Sequence, residues 1–223
     1  MGAAIGDTLT LALGIAISPI PIIAVILMLL SPKARVTSVG FLLGWVLGVV
    51  VAVTAFTLLS SLLPEESTDA SQPVRGTIQL LLGVGLLVLA AAQWRKRPKD
   101  GAEPVLPKWM QAIDTITFPK ALGLGFLLSA VNPKNLLLAA SAGVTIGSAG
   151  LDAGSTVVVI AIFTLIAAST VLVPVVGYLI AAEKLRGPLD ALRGWLAKEN
   201  AVIMAVLLLV IGVAIIGKGI GSF

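Results

Sequence analysis

The chain has no cysteine and no histidine among its 223 residues. Without cysteine it cannot pass electrons through a thiol–disulfide pair, and the commonest ligands of soft metals are missing as well. The apolar segments contain no nucleophile–base pair and no cluster of metal ligands. The sequence therefore predicts a protein that is not an enzyme and that uses no metal and no cofactor.

Charged side chains are also scarce. They make up 12% of the chain, against about 25% in soluble proteins. Hydrophobic residues account for 58%, and several apolar runs reach the length of about 20 residues that crosses a bilayer. The first run follows a start without a basic segment or an obvious cleavage site, so we interpret it as a retained span. We expect a multi-pass protein of the plasma (inner) membrane.

The apolar pattern predicts an all-α protein of six transmembrane helices, and most prolines fall at or between their ends, where they do least harm. An acidic loop covers 64–74, and an amphipathic surface segment at 188–198 follows a predicted stop at Gly187 and Pro188. The predicted organisation is a first three-helix repeat at 1–93, a basic loop at 94–118 and a second three-helix repeat at 119–223. The predicted spans are 7–30, 37–62, 75–93, 119–147, 153–181 and 200–219.

The lysines and arginines sort to one side of this arrangement. Twelve of the fifteen fall between spans 1 and 2, 3 and 4, or 5 and 6. Arg75 and Lys218 lie on the other side, and Lys134 lies inside a span. Because cytoplasmic loops carry the excess of basic residues, both termini are predicted to be external. The positive charge is thus a topology signal, and the expected partners include membrane lipids and no nucleic acid.

Spans 1 and 4 share a motif, because "SPIPIIA" at 18–24 aligns without gaps on "NPKNLLL" at 132–138. Ser or Asn followed by Pro is typical of a helix N-cap and first residue, and the residue before a proline is pushed out of the helical region. We therefore expect both spans to be broken there. Three spans in each half would make the two repeats inverted across the membrane.

Such breaks leave backbone groups that lipid cannot satisfy, so they must face protein or a wet cavity. Lys134 is the only ionisable residue well inside a span, where it costs roughly 2.5–3.5 kcal/mol. Beside the positive N-terminus of a half-helix it indicates an anionic ligand. The alternative is that Lys134 reaches an interface or bonds to a loosened carbonyl at the opposite break. The predicted substrate-binding residues are Ser18, Pro19, Pro21, Asn132, Pro133, Lys134 and Asn135.

Gly40, Gly44 and Gly48 form a small-xxx-small stripe on span 2. The stripe predicts a close helix contact, either within one chain or between two protomers. Together with the small size of a six-span bundle, it leads us to expect a homodimer.

The chain resembles the lysine-exporter (LysE) superfamily at "SPIP" (18–21), "SPKAR" (31–35), Gly40, Gly44 and "NPKN" (132–135). Amino-acid exporters of that superfamily carry Pro-Gly-Pro where this chain has Ile20 between its prolines. The length and the basic central loop are more similar to the glycolipid-addressing (GAP, Sap-like) branch. That resemblance implies a homodimeric exporter of an anionic or amphiphilic cell-envelope lipid. The alternatives are an exporter of amino-acid-like small solutes and a non-transporting scaffold for envelope-lipid synthesis.

Overall fold

The computed structural model describes residues 1–60, 73–97, 110, 113 and 115–223. The predicted acidic loop, and most of the predicted basic loop, lie outside the described residues. The described part contains helices and no strand, as predicted. Its α-helices are α1 (Gly2–Ala16), α2 (Pro19–Leu30), α3 (Ala34–Ser60), α4 (Pro73–Arg95), α5 (Phe118–Ala130), α6 (Pro133–Gly147) and α7 (Ala153–Ile220).

Both predicted helix breaks are present. α1 and α2 meet at an angle of 55°, and α5 and α6 meet at 62°. Pro19 and Pro133 each stand at the start of the second helix of their pair, where a missing backbone N–H costs nothing. The two proline motifs therefore divide spans 1 and 4 into half-helices.

The count of candidate spans does not confirm the six predicted. Within the described residues, α3, α4 and α7 are each long and apolar enough to cross a membrane, and counting each bent pair as one span gives up to five. α7 counts as one candidate span although it consists of two helices joined across a kink, where two spans and a surface segment were predicted. Its non-helical residue is Ala181 (φ −141°, ψ 52°). The predicted stop at Gly187 and Pro188 is wrong.

Pro188 lies inside α7 at an exposed position, although a proline inside a helix costs about 3 kcal/mol or more. The proline removes the hydrogen bond to the carbonyl of Lys184, four residues earlier. Both residues are exposed, so another group can satisfy the freed carbonyl. Sequence alone does not tell an exposed helical proline from one that ends a helix.

α7 folds back on itself. The Thr170 hydroxyl donates to the Ala16 carbonyl over 2.6 Å, and Lys218 Nζ donates to Asp7 Oδ1 over 2.8 Å. The two α7 residues are far apart along the chain and would be separated by about 70 Å in a straight helix, whereas their partners on α1 are only about 14 Å apart. The two halves of α7 therefore both pack against α1.

The glycine stripe of α3 packs inside the chain. A Cβ atom on Gly44 would overlap the backbone of Leu122 in α5, and one on Gly40 would come within 2.9 Å of the Phe118 carbonyl oxygen. From the other side, Gly125 of α5 faces the backbone of Phe41. The stripe was predicted to make a close helix contact either within one chain or between two protomers. In the structure the contact lies within one chain, so the stripe gives no support for a homodimer.

A second close helix contact joins α4 to the last part of α7. A Cβ on Gly83 would lie 3.0 Å from the Gly212 carbonyl oxygen, and one on Gly219 would lie 3.0 Å from the Gly76 carbonyl oxygen. Small residues thus hold α4 to α7 as they hold α3 to α5. Large apolar side chains point outward instead, with Ile180 81% exposed and Leu81 68% exposed, as expected of a surface in contact with lipid.

Candidate functional site

The two helix breaks meet at one cavity of about 270 Å³. Ser18, Pro19 and Pro21 line it from the first break. Asn132, Pro133 and Lys134 line it from the second. The structure therefore brings six of the seven predicted residues together.

Lys134 lies at the centre of this arrangement and is only 3% exposed. Its Nζ donates to the Gly14 carbonyl over 2.6 Å, to the Ile17 carbonyl over 3.3 Å and to Ser18 Oγ over 2.5 Å. A lysine ammonium has three N–H donors, so all three are used. The side chain thus ties the start of α6 to the end of α1.

The local backbone explains why these carbonyls are available. The last carbonyls of a helix have no intrahelical partner. Near the end of α1 the Ser18 N–H turns to the Ala16 carbonyl, away from Gly14, four residues before it. Lys134 occupies the acceptor that this leaves. Of the two alternatives open from the sequence, the bond to a loosened carbonyl of the opposite break is present.

The electrostatics of Lys134 differ from the sequence argument. The residue stands in the first turn of α6, where a helix dipole disfavours a cation, but its ammonium lies at the C-terminal end of α1, where a dipole favours one. The Ser-Pro and Asn-Pro motifs indicate only the N-terminal, positive ends of the two half-helices. The motifs do not indicate the negative end, because a pattern along the chain does not say which helix end a side chain will touch.

The N-cap residues of the two breaks behave differently. Asn132 Oδ1 accepts a hydrogen bond from the backbone N–H of Lys134 over 3.0 Å, which is an ordinary cap. Ser18 makes no such bond in α2. Its hydroxyl donates to the Ile15 carbonyl over 2.8 Å and accepts from Lys134. Ser18 therefore serves as a hydrogen-bond acceptor for the Lys134 side chain and does not cap α2.

Asn135 is the predicted site residue that does not line the cavity. It is 1% exposed, and its Nδ2 donates to the Leu128 carbonyl of α5 over 3.0 Å. Its Oδ1 has no partner among the described residues. Asn135 thus holds the two halves of the second bent pair together.

The opposite wall of the cavity comes from α4 and α7, and sequence reasoning missed it. Its polar members are Gln93, Lys96 and Asn200, and the Oδ1 of Asn200 has no partner in the described part of the chain. Gln93 and Asn200 stand at the ends of predicted spans, where polar residues are ordinary, so their positions carried no signal. The apolar members of this wall are Leu89, Met204 and Leu208.

The complete lining combines cations, neutral hydrogen-bonding groups and an apolar wall. Lys96 and Lys134 belong to it, and the residues that the structure assigns to it include no aspartate or glutamate. A cavity of this kind suits an anionic group that is attached to something apolar. In membrane proteins, broken helices next to a polar cavity are typical of transporters.

These features define the chain as a polytopic helical membrane protein with an internal polar cavity at two broken helices. Residues 8–221 match the family described as Sap, sulfolipid-1-addressing protein. The match covers nearly the whole chain, and the chain belongs to this family of sulfolipid-addressing membrane proteins. A search of curated proteins and a search of solved structures found no match.

The family match agrees with the glycolipid-addressing branch that the sequence motifs resemble. It does not bear on membership of the wider lysine-exporter superfamily. The family description is compatible with both lipid transport and a scaffold role.

Proposed function

We propose that this protein exports an anionic, amphiphilic envelope lipid across the plasma membrane through the cavity between its two broken helices. The observation that carries the proposal is the buried ammonium of Lys134 at the junction of both breaks. A buried ionisable group in a membrane span is costly and usually marks a functional site. Here an acidic headgroup is the complementary ligand.

Binding of a lipid head group would replace the hydrogen bonds that Lys134 makes to the end of α1. An incoming sulfate, phosphate or carboxylate competes with the Gly14 and Ile17 carbonyls for the ammonium donors. The anion has the advantage because it carries a full negative charge, whereas each carbonyl is neutral. Release of these carbonyls separates α6 from the end of α1. Substrate binding is thereby coupled to movement of one broken helix against the other.

The rest of the cavity fits the other parts of such a substrate. Asn132, Gln93 and Asn200 supply neutral hydrogen-bonding groups near the ammonium. Leu89, Met204 and Leu208 supply an apolar wall for an acyl chain. The described lining contains no carboxylate, so the ammonium group of an amino-acid-like solute would find only neutral acceptors there, beside the two cations Lys96 and Lys134.

We further propose six spans in two inverted repeats, with α7 forming the fifth and sixth spans on either side of Ala181. Support comes from the two bent helix pairs and from the return of α7 along α1. The domain limits predicted from the sequence, 1–93 and 119–223, are the limits of these repeats. The homodimer, the absence of enzymatic activity and the absence of a metal or cofactor stay predictions.

An export role and a scaffold role predict different distributions of the lipid between the cell-bound and the surface fractions. In a strain that lacks this protein, a transporter predicts a normal or raised cell-bound amount of the anionic envelope lipid and a depleted surface amount. Mass spectrometry of the lipids in the two fractions measures both, with an uncharged surface lipid as the internal control. An equal fall of the lipid in both fractions would support the scaffold instead.

The proposed orientation places both termini outside and residue 101 in the cytoplasm, although Gly101 itself lies outside the described residues. In this cysteine-free chain, Gly101→Cys is expected to react with an impermeant thiol reagent only after the cells are opened. Gly2→Cys, near the N-terminus, should react in intact cells. Labelling of position 101 from outside intact cells would reverse the orientation and the direction of export.

A further inference from the structure

A second polar cavity lies at the other end of the same helices. Its volume is about 190 Å³, and Asp7 and Thr10 of α1, Gln79 of α4, and Ser141 and Thr145 of α6 line it, together with Lys218 of α7. Asp7 stands nine positions before Ala16, where α1 ends at the first break, which corresponds to about 14 Å along the helix axis. The second cavity is therefore distinct from the one at the breaks.

An apolar constriction separates the two cavities. A Cβ on Gly14 would lie 2.5 Å from Ile211 Cδ1 and 3.0 Å from Leu138 Cδ1, so these three residues are already in tight contact. Ile211 lines the second cavity, and Leu208, one turn earlier in α7, lines the first. Apolar side chains of α6 and α7 therefore pack against α1 between the two cavities.

The groups inside the second cavity are neutral hydrogen-bonding groups. Gln79 is 5% exposed, and its one described bond is a long one of 3.4 Å from the Ser222 hydroxyl to Oε1. Ser141 and Thr145 donate their hydroxyl hydrogens to helical carbonyls, so their oxygens keep free lone pairs as acceptors.

An ion pair stands at the rim of this cavity. Lys218 Nζ lies 2.8 Å from Asp7 Oδ1, and the two side chains are 45% and 50% exposed. The pair joins α7 to α1 across the opening and leaves no net charge there. A ligand that is itself charged gains little from such a lining, whereas a ligand with several hydroxyl groups can use the buried amide and both hydroxyl oxygens.

We propose that the second cavity binds the uncharged, hydroxyl-rich part of a lipid head group, with the Asp7–Lys218 ion pair closing its mouth. The volume is below the roughly 300–1,000 Å³ of pockets for drug-sized ligands, so it holds about one sugar ring and not a whole lipid. The site depends on the proposed export function in one respect only, which is its role as a second binding position for the head group of a transported lipid. Its binding chemistry stands on Gln79, Ser141 and Thr145 alone.

Thiol protection in the full chain tests the site. Thr10 is exposed and lines the cavity, so Thr10→Cys reports on its occupation; Ala153→Cys is exposed, lies outside the lining and serves as the control. The protein is reconstituted in phosphatidylcholine nanodiscs, with or without a glycosyl diacylglycerol. At about ten times its apparent Kd, the glycolipid should slow modification of Thr10→Cys about tenfold and leave Ala153→Cys unchanged.

Further arms identify the ligand and the groups that bind it. A free disaccharide that protects equally well would indicate a sugar site, and protection by the glycolipid alone would indicate a lipid head-group site.

Two variants identify the groups of the protein that take part. Gln79→Met should abolish the protection of Thr10→Cys by the glycolipid. Lys218→Gln should speed the modification of Thr10→Cys without ligand, because the ion pair no longer closes the mouth of the cavity. The glycolipid should still protect Thr10→Cys when Lys134 is also replaced by alanine. This result would distinguish failure of the second site from failure of the proposed export. Equal rates with and without both probes, or equal protection of Ala153→Cys, would overturn the site.

Discussion

Lys134→Ala is expected to abolish export of the anionic lipid in reconstituted vesicles. The variant removes the charge-assisted bond to the head group, worth roughly 1.5–3 kcal/mol, or about a 10- to 150-fold loss of affinity. It also removes the link between α6 and the carbonyls of Gly14 and Ile17, on which the coupling depends. Transfer of a fluorescent sulfate- or phosphate-headed lipid between the leaflets measures the loss.

The stability of the same variant separates a ligand site from a purely structural lysine. Two carbonyls lose a donor at about 1–3 kcal/mol each, but a lysine that costs roughly 2.5–3.5 kcal/mol in the membrane is also removed. The terms largely cancel, so the melting temperature in detergent should change little. Lys134→Arg should keep some export because it keeps the charge.

Lys120→Ala is the matched control, since Lys120 is exposed at the start of α5 and its loss changes the net charge equally. This variant should export normally. If Lys134→Ala also exports normally, the central anion site is wrong and the broken helices serve packing alone. If Lys134→Ala loses export only because it unfolds, and adding lipid does not change its melting temperature, the lysine is structural.

Gly44→Ala is expected to produce the largest loss of stability among single-methyl changes in this chain. The added Cβ would overlap the backbone of Leu122, and backbone cannot move aside as a flexible side chain can. Overpacking costs about 1–3 kcal/mol where side chains adjust, so the cost here should reach the upper part of that range or beyond. Thermal unfolding of the purified protein in mild detergent measures it.

Gly123→Ala provides the comparison, because Gly123 lies on α5 near the same contact and a Cβ there would have no neighbour within 4 Å. Helix propensity alone then favours alanine by about 1 kcal/mol, so this variant should be as stable as the parent or more so. Equal melting temperatures for the two variants would mean that α3 and α5 are not in the close contact described.

The broken helices could be predicted because their cause is local. Serine or asparagine before proline fixes the backbone of two or three residues, and those residues are adjacent in the sequence. The wall of α4 and α7 could not be predicted, because Gln93 and Asn200 reach the cavity only through packing of helices that are distant in the chain. The continuation of α7 through Pro188 depends likewise on exposure, which the pattern does not contain.

The partners of Lys134 have a further consequence for how the chain enters the membrane during synthesis. Neither α1, with 15 residues, nor α2, with 12, reaches the about 20 residues of a complete span, so the pair must insert together. After insertion, the carbonyls of Gly14 and Ile17 still lack the donor that the finished fold gives them.

That donor is synthesised more than a hundred residues later. Until α6 arrives, the first half of the protein holds unpaired backbone oxygens at membrane depth, where each is costly. The N-terminal half therefore lacks part of its hydrogen bonding until α6 has been made. The late docking of Lys134 completes the hydrogen bonds that join the two halves of the protein.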